Sequence, residues 1–315
     1  MGKWRSRLNL NEKVGLVLSG GGARAAYQVG VMKAIYSGKC RSAQGNPPEV
    51  LCGTGAGAYN AAVAASRLPG QYPSAIDYLT SLWADEIPRE GLSRNNRIFR
   101  KRLDTAQFFD LPYLWRRPLK SIVQYARDFA EVVPAALGGK NSPELWIDTS
   151  PLRRLITESV SLEAIRDGEV ERPYRSLRIV AAECGSGAPR TFGNADFTEE
   201  IGYSLVMASC SMPGLFPAVE IRGKLYAYGG PQTPAPLAPA LEAGCTVIHV
   251  VHTEPGAAPV RQAAPGVVVH QYRPQRELSG PGGLLHFTRE LAEEAIAAGE
   301  RDALGHNCAE GGCIL

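Results

Sequence analysis

Val14 to Ile35, VGLVLSGGGARAAYQVGVMKAI, constrains this chain more than any other stretch. The apolar run Val14–Leu18 reads as a buried strand. Ser19 and three glycines follow, and a helix then opens near Ala23 and carries Arg24. A strand that turns on glycines into a helix gathers free backbone N–H groups at one point. The positive end of the helix dipole lies there too, so the turn suits negative charge. Chemistry is expected at this turn.

A second unit repeats the design. Glu49–Cys52 reads as a short strand running into Gly53-Thr54-Gly55-Ala56-Gly57, followed by an alanine-rich helix over 58–66. Strand, glycine-flanked turn and small-residue helix form the setting of a nucleophile elbow. The central residue of an elbow is forced to positive φ, and Gly53 and Gly57 on either side make room for the helix.

Further along, amphipathic pieces at 75–83 and 119–137 flank a basic group, Arg94, Arg97, Arg100, Lys101 and Arg102. An apolar-aromatic run from Phe108 to Trp115 follows, closed by Arg116 and Arg117. The pattern is read as a helical cap packed over the sheet, with a headgroup-level membrane contact as the alternative. Asp148 to Leu152 opens a helix with an early proline. Ser176–Ala182 and Thr191–Gly193 read as strands, 198–208 as a helix, and Cys245–Thr253 and Val267–Tyr272 as strands. Leu285–Leu304 reads as a long closing helix and 305–315 as a loose tail.

Composition excludes several classes. Of 315 residues 44% are hydrophobic, ample for a core, and a net charge of +3 leaves no nucleic-acid footprint. No apolar run reaches a membrane span, and the start, MGKWRSRLNLNEK, has no apolar signal region. Met1 to Ser6 fits the short myristoylation pattern, but a frayed basic start is the favoured reading. The seven cysteines, Cys40, Cys52, Cys184, Cys210, Cys245, Cys308 and Cys313, form no CxxC pair and no zinc spacing, so unrelated thiols in a reducing cytosol are expected. His249 and His252, three apart on a strand, face opposite sides and cannot grip one metal. Neither a metal nor a cofactor is called for.

Gly-Gly-Gly-Ala-Arg at 20–24, GTGAG at 53–57, MASCSMPGLFPAVEI at 207–221 and YGGPQTPAPLAPALEAG at 228–244 resemble, in order, the motifs of the patatin-like phospholipase family. The resemblance implies an α/β fold, a three-layer α/β/α sandwich with a mainly parallel sheet. It divides the chain into an arm (1–13), one domain (14–304, with a helical cap insertion over 67–140) and a flexible tail (305–315). It also implies lipid acyl hydrolysis by a Ser–Asp dyad, with the glycine loop as oxyanion hole.

Carried over by position, the nucleophile falls on Gly55 and the acid/base on Tyr228, ahead of Gly229 and Gly230. Glycine has no attacking group, and a phenol is a poor base at neutral pH. The expectation is therefore a pseudoenzyme. Gly20, Gly21 and Gly22, with Arg24 in support, would hold a lipid, an acyl group or another anionic ligand. Its partners would be such a lipid, an active homologue or a second copy, with peripheral membrane contact. The alternative is an active esterase with another nucleophile, for which Ser209, Cys210 and Ser211 are the candidates.

Overall fold

The computed structural model describes residues 12–43, 47–67, 72–88, 96–101, 147–168, 175–230, 235–261, 263–278 and 283–315. The N-terminal pattern Met1–Ser6, Arg94, Arg102 and the aromatic-arginine run at 108–117 lie outside these residues, as does the helix expected at 119–137.

An eight-stranded mixed sheet forms the middle layer. Its strands are β1 (Val14–Leu18), β2 (Val50–Thr54), β5 (Ser176–Glu183), β6 (Pro189–Gly193), β7 (Val219–Ile221), β8 (Lys224–Ala227), β9 (Val247–Val251) and β10 (Val268–Tyr272). A separate two-residue ladder pairs β3 (Arg100–Lys101) with β4 (Ile147–Asp148). The main order is β10-β9-β1-β2-β5-β8-β7, with β6 also on β5. The five strands from β10 to β5 run parallel, while β6, β7 and β8 join antiparallel.

Alternation along the central strands divides two cores. Leu16, Leu18 and Leu51 face the larger core; Val17, Val50 and Cys52 face a smaller one with Ala240, Ile248 and Val269. On the larger side lie α1 (Ala26–Tyr36), α2 (Ala56–Ala65), α3 (Tyr72–Ser81), α4 (Ser150–Ser159), α5 (Leu162–Asp167), α6 (Gly202–Cys210) and α8 (Arg289–Leu304). The short α7 (Ala238–Glu242) covers the other face, completing a three-layer sandwich.

Each helix follows its sequence pattern. All of α1 except Lys33 is buried, as expected of a helix apolar on every side. In α4, Leu152, Leu155, Ile156 and Ser159 face inward while Arg153 and Arg154 point out. Asp148 caps its start, accepting from Ser150 N at 2.9 Å. Gly30 of α1 and Gly299 of α8 meet at a crossing where the two backbones touch. A Cβ on Gly30 would lie 2.7 Å from Glu300 N, and one on Gly299 would overlap Tyr27 O.

Three expectations are corrected. β2 continues through Gly53 and Thr54, so the turn is carried by Gly55 alone. The closing helix begins at Arg289, not Leu285, because Thr288 caps it by accepting from Leu291 N. The 305–315 segment is not loose: α9 (Cys308–Gly311) forms, and Ile314 bridges Val269 through two backbone hydrogen bonds of 2.8 and 2.9 Å. That docking brings Cys308 and Cys313, expected to be unrelated thiols, beside His270 and His306.

The β7–β8 hairpin went unread in the sequence. Its turn residues Arg222 and Gly223 have φ of 51° and 76°, a two-residue turn with both centres at positive φ.

Candidate functional site

The carboxyl ends of β1, β2 and β9 converge, the usual place for a site in an α/β sheet. The glycine loop leaves β1, Gly55 leaves β2, and Thr253 follows β9.

Gly55 turns at φ 58°, ψ −134° and caps α2. Gly53 and Gly57 are required for close approach: a Cβ on Gly53 would lie 2.5 Å from Gly57 O, and one on Gly57 2.5 Å from Leu18 O and Ser19 O. Ser209 and Cys210 brace the turn. Ser209 Oγ accepts from Gly55 N at 3.0 Å and donates to Val180 O at 2.7 Å. The Cys210 thiol donates to Gly55 O at 3.2 Å, and burial pushes its pKa up to about 12. Ser211 donates to Met207 O at 2.8 Å. All three candidate substitutes are thus committed to backbone carbonyls, and the one thiol is protonated at neutral pH. Activation of a nucleophile requires the reverse.

Tyr228 fills the space in front of Gly55. A Cβ at Gly55 would lie 2.8 Å from Tyr228 Cε2, 3.1 Å from its Cδ2 and 3.2 Å from Gly20 Cα. The hydroxyl end of the ring lies between Gly20 and Gly230, where a Cβ on either would lie 2.5 Å from the ring's Cζ or Cε1. Three glycines therefore form the walls that admit one phenol. Burial first, then the charge of Glu254, raises the Tyr228 pKa above its usual 10, so the group stays neutral.

The glycine loop is held from several sides. Thr253 Oγ1 donates to Gly20 O at 2.6 Å, and Gln28 Nε2 donates to Ser19 O at 2.7 Å. Gln28 in turn accepts from Asn60, whose Oδ1 accepts from Trp83 Nε1 at 2.8 Å. This buried network ties loop, α1 and α2 into one piece. Among the described residues, no group accepts from the amides of Gly21 and Gly22.

Arg24 differs from its expected role. It is 4% exposed, with Nη1 2.6 Å from Glu254 Oε1 and Nε 3.2 Å from Glu277 Oε1. Its charge is spent on two carboxylates, and the trio is net negative. Arg24 thus acts as a clamp between the glycine loop and the segments after β9 and β10. The Thr-Glu pair directly after β9 was the available signal for this clamp, since strand ends carry sites.

The model for patatin-like phospholipases matches residues 16–241. The chain belongs to the patatin-like phospholipase family. Its fold is that of this family of lipid acyl hydrolases. Similar solved structures include VipD from Legionella pneumophila, at 14% identity over 95% of this chain and 67% of that one, TM-score 0.44. The type III effector ExoU matches at 17% identity over 94% of this chain and 52% of its own, TM-score 0.36. ExoU bound to SpcU, from the type III secretion system of Pseudomonas aeruginosa, matches at 18% over 95% and 53%, TM-score 0.33. The chain thus spans about half the length of the ExoU chains it matches. Among curated proteins, none matches it. No helix among the described residues is long and apolar enough to cross a membrane.

Proposed function

We propose that this patatin-like protein binds an acyl lipid without hydrolysing it. On the family resemblance, Gly55 stands at the nucleophile position and Tyr228 at the acid/base position. One observation carries the reading: the Tyr228 ring lies where a Gly55 side chain would project, 2.8 Å from its Cβ. A side chain at 55 and a tyrosine ring at 228 compete for the same space, so the two replacements make sense together. Relieving the positive φ with glycine also removes about 1–3 kcal/mol of strain that a nucleophile would impose.

What remains is a set of neutral donors, the amides of Gly21 and Gly22 and the Tyr228 hydroxyl. The Arg24–Glu254–Glu277 trio beside them is net negative, which disfavours a free carboxylate or phosphate. An uncharged acyl carbonyl, such as that of an ester lipid, suits this set better than an anion.

Fluorophosphonate labelling tests the reading, with intact-mass and peptide mass spectrometry, alongside lipid extraction from the purified chain. The expected result is no adduct and an ester lipid near one per chain. A stoichiometric adduct on a single serine, threonine or cysteine would establish the esterase alternative and refute the reading.

A further inference from the structure

β10 is an edge strand of the sheet, and an uncovered edge exposes unpaired backbone groups. The chain returns after α8 to cover it through the Val269–Ile314 bridge. On that return it carries His306, Cys308 and Cys313 against His270 of β10. We propose that His270, His306, Cys308 and Cys313 form a tetrahedral Zn²⁺ site that fastens this segment to the sheet edge.

The geometry is close to what zinc needs. One donor atom from each residue falls within 4.8 Å of all the others. His306 Nε2 is 3.2 Å from Cys313 Sγ, and Cys308 Sγ is 3.4 Å from His270 Nδ1. With Zn–S near 2.3 Å and Zn–N near 2.05 Å, the N···S edge of a tetrahedron is about 3.6 Å. These two edges need to open by only a few tenths of an ångström, while the most distant donors close by about 1 Å. Two sulfurs and two imidazoles are a donor set for zinc rather than for magnesium or calcium, and four protein ligands make a closed, structural site.

The surroundings orient each ligand. Asn307 caps α9, its side chain accepting from Ala309 N at 3.2 Å, which fixes Cys308 in the first turn. Gly312, left-handed at φ 69°, reverses the chain so that Cys313 comes back to the cluster. Gln271 N donates to Cys313 Sγ at 3.3 Å, the kind of outer bond that supports a metal-bound thiolate. The His270 ring stacks on His249 with centroids 5.2 Å apart, and His306 packs on Tyr272 at 4.5 Å. Contrary to the expectation of no zinc spacing, Cys308 and Cys313 stand in a C-x4-C spacing, within the range zinc sites use.

The experiment takes the whole chain, tag-free and purified without chelator, for metal analysis by mass spectrometry. One zinc per chain is expected, and Co²⁺ exchange should give the intense visible absorption of a tetrahedral, thiolate-ligated ion. Cys308→Ser and Cys313→Ser should each lose at least half of the bound zinc, while Cys184→Ser keeps it. Alkylation mapping on the unmodified chain does not depend on variants that fold. Cys308 and Cys313 should resist reagent until a chelator is added, then react at least tenfold faster. The proposal is overturned if the folded chain binds neither zinc nor cobalt, if both serine variants retain zinc, or if protein freshly prepared without reductant carries a Cys308–Cys313 disulfide.

Discussion

The contact between Gly55 and Tyr228 makes a prediction about coupling that needs no enzymatic assay. In Gly55→Ser, the new Cβ must enter space 2.8 Å from Tyr228 Cε2 and 3.2 Å from Gly20 Cα. The backbone there stays at φ 58°, ψ −134°. Overpacking of this kind costs about 1–3 kcal/mol, and the left-handed backbone adds about 1–3 kcal/mol for any side chain. Only the first part depends on the ring. In a Tyr228→Ala background the serine should therefore cost less by about 1–3 kcal/mol, read as the interaction energy of a double-mutant cycle. Tyr228→Phe keeps the ring, so its cycle with Gly55→Ser should show almost no coupling. Urea unfolding of the six proteins, with shared m-values, measures both cycles. Equal coupling in the alanine and phenylalanine cycles, or none in either, would refute the account of the ring as the occupant of that space.

Three further outcomes follow from the same structure. Gly55→Ser with Tyr228→Asp should raise short-chain esterase activity by about 10²-fold or more over the unmodified chain, with neither single change sufficient; p-nitrophenyl ester turnover measures it. Gly299→Ala would ordinarily add about 1 kcal/mol through helix propensity, yet here its Cβ overlaps Tyr27 O. A net loss of about 1–3 kcal/mol is expected in chemical denaturation. Burial lowers the His252 pKa below its usual 6.5, so the unfolded chain binds the proton more readily. That contribution is complete above pH 6.5 and is lost as pH falls below it, toward the lower folded value. His252→Gln should flatten this limb in urea midpoints taken from pH 7 down to pH 5.

Local chemistry made part of this legible from residues alone. Glycines at the ends of β1 and β2 announced both turns, since a Cβ there would run into Tyr228, Thr253 or the carbonyls of Gly57, Leu18 and Ser19. Parallel strands such as β9 were readable as apolar runs, because burial on both faces removes alternation. Other features depend on partners far apart in the chain. Arg24 reads as an anion ligand until Glu254 and Glu277 are placed beside it. Cys308 and Cys313 read as isolated thiols until β10 brings His270 to them. The loose-tail expectation failed for the same reason, since Ile314 gains its bonds from Val269. The β7–β8 hairpin was locally encoded, however. Arg-Gly between Ile221 and Lys224 is a turn signal that a strand-by-strand reading passed over.

The position of β1 sets a problem of timing. The strand pairs through Gly15 with Val50 of β2 on one flank and through Val14 with Val247 of β9 on the other. At ribosomal rates the second partner is made roughly 10–50 s after the first strand has left the exit tunnel. Through that interval one side of this fully buried strand has no mate. The closing helix that seats on Gly30 emerges later still. Folding of this domain therefore waits until β9 and the closing helix have been made, and a nascent chain paused before residue 247 is a natural client for chaperones.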